Sequence, residues 1–191
     1  MFKKQLLKLV EIFTSSEQNN QTVISDKIFF REATIADQEY IFSSLLREAK
    51  TGHFNQAYLD SQAHEGTRRQ ILSTIQNRNM PTASGKNDDA ILNVLVNSNQ
   101  PIGFSWLRTF NENHESGWEI YLMTLEPNFR KQKLGKVLLD ETLKIIKSPN
   151  NVFVRVYKKP HSPAMSKLLT QNKFKQISTN AKDTYLYKRT S

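Results

Sequence analysis

The chain has 191 residues, 38% of them hydrophobic and 10% aromatic, which suits one domain with a sizeable core and excludes a disordered chain. It has no cysteine, which excludes disulfides, thiolate metal sites and a cysteine nucleophile and fits a reducing, cytoplasmic location. A net charge of +9 favours anionic partners: nucleic acid, a phosphorylated cofactor, an acidic protein or a lipid surface.

Residues 1–14, MFKKQLLKLVEIFT, place Phe2, Leu6, Leu9, Val10 and Phe13 on one stripe at helical spacing, which predicts an amphipathic helix. That helix packs on its own domain or a partner chain, or lies on a membrane surface. No run of about 18 apolar residues exists, so no membrane-spanning helix is expected. The polar stretch 15–26 reads as a linker, and the folded domain is expected over 27–191. KIFFREAT (27–34) reads as a strand. Thr34 then caps a helix, with Asp37 three residues on, that runs to about Lys50. A second helix is expected over 61–76, and the Pro, Gly and Asn content of 79–89 predicts a loop. AILNVLV (90–96) and PIGFSWLRTF (101–110) form a hairpin. WEIYLMTL (118–125) is a third strand, closed by Pro127, which cannot donate to the ladder. A helix follows over 134–147, then a strand over 152–159. Ser162 caps a last helix with Pro163 at its first position, and FKQI and TYLYKR close the chain as a hairpin. The order β-α-α-β-β-β-α-β-α-β-β places the chain in the α/β (α+β) class.

The most informative stretch is NFRKQKLGKVLLDETLKII, 128–146. It sets Arg130, Lys131, Lys133 and Lys136 around Gly135 between a strand end and a helix start. Exposed N–H groups at a helix start bind anions, aided by the helix dipole, and glycine admits close approach. The natural guest is a pyrophosphate. A P-loop needs G-x-x-x-x-G-K-[ST] and a dinucleotide fold needs G-x-G-x-x-G; neither is present.

LEPNFRKQKLGKVLL resembles motif A of the GNAT superfamily, the Gcn5-related acyltransferases, whose pattern is Arg/Gln-x-x-Gly-x-Gly/Ala after a strand ending in an apolar residue, any residue and proline. Arg130 matches its first position, Gly135 its last, and Leu125 and Pro127 the strand end. Lys133 replaces the first glycine. Gly103 falls where the family's hairpin carries Gly-Phe, and KLLTQNKF resembles its Leu-Tyr-x-x-x-Gly-Phe. The resemblance covers about 27–189. It implies the GNAT fold, a mixed central sheet of about six to seven strands flanked by helices on both faces. It also implies acetyl transfer from acetyl-CoA to a primary amine of a small molecule or a protein, with no metal. Gln132, Leu134 and Lys136 join Arg130, Lys131, Lys133 and Gly135 in the expected pyrophosphate cradle. Met123 and Leu125 would line the pantetheine and acetyl group through main-chain bonds. The N–H near Leu125, where the family's strand bulges, is the expected oxyanion donor. Ser162 matches the family's helix-start asparagine, which contacts pantetheine, or simply caps its helix.

An amine of pKa about 10.4 is almost wholly protonated at neutral pH, so a base is needed on the acceptor side. Glu119 resembles the glutamate that histone-type members carry on this strand; otherwise it is a solvated strand residue paired with a lysine. The family's tyrosine acid aligns with Leu169, so Tyr157 or Ser162 substitutes through water, or the coenzyme A thiol leaves unaided. His53, in the rim stretch KTGHFN, is a base on the acceptor side or an uninvolved surface histidine. His64, His114 and His161 show no metal spacing. A non-catalytic acyl-CoA- or nucleic-acid-binding module on a degenerate GNAT fold is the alternative, prompted by Lys133 and the missing tyrosine.

Overall fold

A computed structural model describes residues 22–23, 27–112, 114–146, 150–158, 162–177 and 182–190. The amphipathic helix expected at 1–14 lies outside these residues, as does most of the expected linker. Of the linker, Thr22–Val23 is described, and it forms a short edge strand β1.

β1 pairs with β2 (Ile28–Glu32). The chain then turns into helix α1 (Gln38–Lys50) through a 3-10 turn at Ile35–Asp37. Asp37 organises this entry. Its Oδ2 accepts the Thr34 N–H at 2.7 Å and the Thr34 hydroxyl at 2.9 Å, and Arg31 clamps both carboxylate oxygens at 2.7 and 3.0 Å. Burial alone would raise the Asp37 pKa, but the bonds from Arg31 and Thr34 outweigh it and hold the carboxyl below its ordinary range. Helix α2 (Ser61–Asn77) starts at Asp60, whose side chain accepts the Gln62 N–H at 2.9 Å. It stops at Arg78, which adopts the left-handed conformation, φ 52°.

Arg78 turns the chain straight back, so the stretch expected as a loop over 79–89 contains a strand. β3 (Asn79–Pro81) pairs with Asn87–Asp89, the start of β4 (Asn87–Asn97). The turn residues at its tip hid this hairpin extension. β5 (Gln100–Glu112) and β6 (Glu115–Leu125) continue the antiparallel meander. A 3-10 turn beginning at Pro127 leads to α3 (Leu134–Ile145). β7 (Asn151–Tyr157), α4 (Pro163–Gln171), β8 (Lys175–Ile177) and β9 (Thr184–Arg189) complete the described chain.

The sheet runs β1-β2-β4-β5-β6-β7-β9-β8, with β3 beside β4. Its nine strands exceed the expected six to seven by β1 and β3. Alternation along the strands separates two cores. Leu92, Val94, Val96, Phe104 and Trp106 pack with Ile41, Phe42, Leu45 and Ile71 of α1 and α2. Leu95, Ile102 and Leu125 pack with Leu134 and Leu138 of α3, and Leu107, Ile120, Val152 and Val154 with Leu139 of α3 and Leu169 of α4. Helices therefore cover both faces. Gly103 shows how tightly β5 and β6 are matched: a Cβ there would sit 2.5 Å from Leu125 Cδ2 and 2.8 Å from the Thr124 carbonyl oxygen.

Among the described residues, β6 and β7 form the one parallel pair. They pair only over Gly117–Ile120 and Asn151–Val154, then diverge. At that point the register of β5 against β6 shifts, Leu107 opposing Ile120 and Trp106 opposing Leu122. Tyr121 is the extra residue of a β-bulge. A bulge adds bend and twist, and here it swings the second half of β6 away from β7.

Candidate active site

The divergence of β6 and β7 opens a cleft of about 1120 Å³ that reaches from the loop before α3 to the turn after α1. One wall is β6 from Glu119 to Leu125, the other is β7 from Val154 to Tyr157, and α4 closes the side along its length.

At one end, the backbone N–H groups from Lys131 through Gly135 meet no acceptor among the described residues. The next two, of Lys136 and Val137, bond back to the Lys133 carbonyl at 3.0 and 3.4 Å. Lys131 and Lys133 are both left-handed, φ 62° and 63°. Such residues curl successive amides into a concavity that suits anions, and the N-terminus of the twelve-residue α3 adds its dipole. Gly135 has no such backbone demand, and a Cβ there would make only ordinary contacts, 3.8 Å from Leu168 and 3.9 Å from Leu125.

The cations around this loop are not equivalent. Arg130 turns inward, where its Nε donates to the Leu125 carbonyl at 3.0 Å and its Nη2 donates to the buried carboxylate of Glu48. It stitches the loop to α1 and to the end of β6. Lys136 is exposed and pairs with Asp140 at 2.5 Å.

Further along the cleft, Glu119 is 1% exposed and almost fully engaged. Its Oε2 accepts from Arg108 Nε at 2.8 Å and Nη2 at 2.7 Å; its Oε1 accepts from Arg155 Nε at 2.9 Å. Register explains the cluster. Arg108 on β5 lies directly opposite Glu119, and Arg155 sits two residues beyond Glu119's parallel partner Phe153 on β7. The Arg108 guanidinium also lies 4.2 Å above the Tyr121 ring. The Tyr121 hydroxyl shares a 2.6 Å hydrogen bond with Tyr58. Burial, then the neighbouring Tyr121, pushes the Tyr58 pKa well up. Burial, then the charges of Tyr121 and Asp183, raises that of Tyr157. Tyr58 and Tyr157 therefore keep their protons at neutral pH.

Between the two ends, Glu48 of α1 is buried beneath the turn 51–55. Its carboxylate accepts from Arg47, Arg130 and the His53 ring.

A family model described as the acetyltransferase (GNAT) family matches residues 42–166. The chain belongs to the GNAT family. Solved structures agree at the level of the fold. The PaiA N-acetyltransferase of Thermoplasma acidophilum, in complex with coenzyme A, superposes with a TM-score of 0.63 at 20% identity, over 86% of this chain and 99% of that one. RimL, a ribosomal L7/L12 alpha-N-protein acetyltransferase, also in complex with coenzyme A, gives 0.61 at 14% identity, over 90% and 98%. NAA60 of Arabidopsis thaliana, in complex with a bisubstrate analogue, gives 0.60 at 14% identity, over 85% and 97%. Among curated protein sequences, none matches closely enough to count as a relative.

Within this GNAT fold, the structure brings Glu119, Met123, Leu125, Arg130, Lys131, Lys133, Gly135, Lys136, Tyr157 and Ser162 to one cleft. Gln132 is not on the cleft wall; its side chain donates to the Asn128 carbonyl at 2.8 Å and braces the loop. Leu134 packs into the core below α3. Ser162 caps α4, accepting from the Met165 N–H at 3.4 Å. Leu169 is buried at the cleft wall, where the motif comparison expected a tyrosine. One expectation is corrected: the bulge lies at Tyr121, whereas Leu125 is in regular register with Gly103. The bend is needed where β6 parts from β7, which is four residues before the strand ends.

Sequence reading missed Arg108, Arg155, Tyr58, Tyr121 and Glu48. Strand register could have paired Arg108 with Glu119, since both lie on predicted adjacent strands. Nothing local marks Tyr58.

Proposed function

We propose that this GNAT protein transfers an acetyl group from acetyl-CoA to a primary amine. The observation that carries the reading is the row of unpartnered N–H groups from Lys131 to Gly135, at the mouth of α3 and the end of a long cleft. Leu134 is buried and Gly135 half-buried, so their amides need acceptors, and a pyrophosphate supplies several at once to the whole row. The cleft between β6 and β7 then suits a slender chain with its own amides, since both strands turn unpaired edges toward it. The coenzyme A bound in the PaiA and RimL structures supports the same choice of donor. Bound acetyl-CoA supplies the thioester as the activated acyl group.

Lys133 serves this reading rather than opposing it. It takes up the left-handed conformation that glycine favours, at a cost of about 1 kcal/mol, and brings a cation to the loop. Lys131 and Lys133 supply field, while Arg130 fixes the loop from beneath. Met123 and Leu125 offer main-chain groups along the wall, and Ser162 adds a hydroxyl at the α4 entrance. Tyr157, protonated and half-buried, is the proposed proton donor on the leaving-group side. Glu119 acts as an anchor that holds Arg155 at the cleft wall and ties it to Arg108. Both of its oxygens are already bonded to arginines. The domain carrying this activity is the stretch from residue 27 onward, and its acceptor is a small-molecule or protein amine.

Titrating the purified protein with acetyl-CoA while following its melting temperature tests the reading, with adenosine diphosphate alongside. A saturable rise selective for acetyl-CoA supports it and justifies an amine screen. No shift at millimolar acetyl-CoA overturns it.

A further inference from the structure

We propose that His53 is the general base that takes the proton from the acceptor amine, and that a helix-ending motif fixes its tautomer for that task. The inference rests on the acyltransferase reading and adds a residue to it.

The placement comes from the end of α1. Gly52 is left-handed, φ 77°. Its N–H bonds to the Ala49 carbonyl at 3.0 Å, and the His53 N–H bonds to the Glu48 carbonyl at 3.0 Å. This double bond pattern is a Schellman ending, which brings the second residue past the helix over the third residue from its end. In most helices that contact is hydrophobic. Here it joins an imidazole to a carboxylate: His53 Nδ1 lies 3.2 Å from Glu48 Oε2.

The donor inventory then decides the tautomer. A carboxylate only accepts. The second neighbour of Nδ1 is Thr51 Oγ1 at 3.0 Å. That hydroxyl spends its proton on the Glu48 carbonyl at 2.9 Å, so toward the ring it too accepts. Nδ1 must therefore carry the hydrogen, and Nε2 keeps its lone pair. Nε2 has no hydrogen-bond partner among the described residues, and His53 lines the cleft. Glu48 is itself held rigid. Its Oε1 receives Arg47 from α1 and Arg130 from the loop before α3, leaving Oε2 for the imidazole. Glu119 offers no comparable site, since arginines hold both of its oxygens.

As the acceptor nitrogen bonds to the acetyl carbonyl carbon, His53 Nε2 receives the proton that nitrogen sheds. The thioester C–S bond breaks with its electron pair leaving on sulfur, which takes the Tyr157 proton, and the imidazolium proton then returns to Tyr157 through water. Glu48 stabilises the imidazolium in between. The charged and titratable groups around the ring are Glu48, Arg47 and Arg130, with Thr51 beside Nδ1 and Tyr58 also lining the cleft.

The test has two arms on the full chain. Nitrogen-15 spectra of the histidine rings should show His53 protonated on Nδ1 and bare on Nε2 at alkaline pH. A ring protonated on Nε2 overturns the assignment whatever the acceptor. Kinetics with acetyl-CoA and a lysine-bearing peptide should give a kcat that rises with pH, and His53→Gln should lower kcat about a hundredfold or more and remove that rise. Its melting temperature and acetyl-CoA affinity should stay unchanged. A variant that keeps its rate and its pH dependence overturns the assignment alone. A wild-type protein that fails to bind acetyl-CoA overturns the acyltransferase reading instead.

Discussion

The loop before α3 and the rest of the cleft hold their charge by different means. From Lys131 to Gly135 the working groups are backbone amides, shaped by two left-handed residues. Around Glu119 and Glu48 they are side chains from five separate segments, each carboxylate gripped by more than one arginine. Backbone recognition depends on φ and ψ, so it tolerates a change of side chain wherever the conformation survives. Lysine at 133 is such a case. A side-chain cluster has no such latitude, because removing one member leaves buried charge without a partner.

Substitutions can sharpen or break that contrast. The largest effect is expected at Glu119→Ala. It leaves Arg108 and Arg155 facing a buried gap, at a cost of about 3–5 kcal/mol, read from urea denaturation. A loss below about 1 kcal/mol, the value of a surface pair, would show that water replaces the carboxylate freely. Gly103→Ala comes next. Its Cβ would collide with Leu125 and the Thr124 carbonyl, costing about 1–3 kcal/mol and displacing the cleft wall. Wild-type stability and unchanged acetyl-CoA binding would show that β5 and β6 give way easily.

Asp37→Asn probes a charge cluster outside the cleft, with an expected cost of about 1–2 kcal/mol at neutral pH. The folded pKa of Asp37 is lowered. Its contribution is therefore complete above the unfolded value and fades as pH falls through the folded one. The wild-type and variant curves should converge in acid, and a gap that persists there would exclude the carboxylate charge as its source. The smallest effects belong to the backbone end. Lys133→Gly should raise stability by up to about 1 kcal/mol and leave acetyl-CoA affinity within a few-fold. Gly135→Ala should be neutral or slightly stabilising, since Ala favours a helix by up to about 1 kcal/mol. A large loss of affinity in Lys133→Gly, measured calorimetrically, would mean that the lysine charge and not the amide row dominates.

The same contrast sets what could be read from the sequence. Thr34 with Asp37, Ser162 with Pro163, and Pro127 after β6 are local signals, and the elements they bound are found in place. The basic loop announced itself because its parts lie within seven residues. β3 was hidden because pairing with Asn87–Asp89 overrode loop-like composition. The partners of Glu119 were hidden for another reason. Arg155 reaches it through a parallel crossover of thirty-six residues, and register across such a crossover is not encoded locally. Gly52 after α1 was visible, and with it the closeness of His53 to Glu48, had the helix ending been followed through to the side chains it brings together.

The short parallel seam between β6 and β7 has a consequence for solvent exchange. β6 stands in the middle of the sheet, yet past Ile120 only its β5 side is bonded. Strand amides point alternately to either side, so along Tyr121–Leu125 half should exchange like those of a buried strand and half like those of an exposed edge. Such an edge ordinarily invites another strand. This one faces the cleft with β7 as the opposite wall, so what pairs with it is whatever the cleft admits.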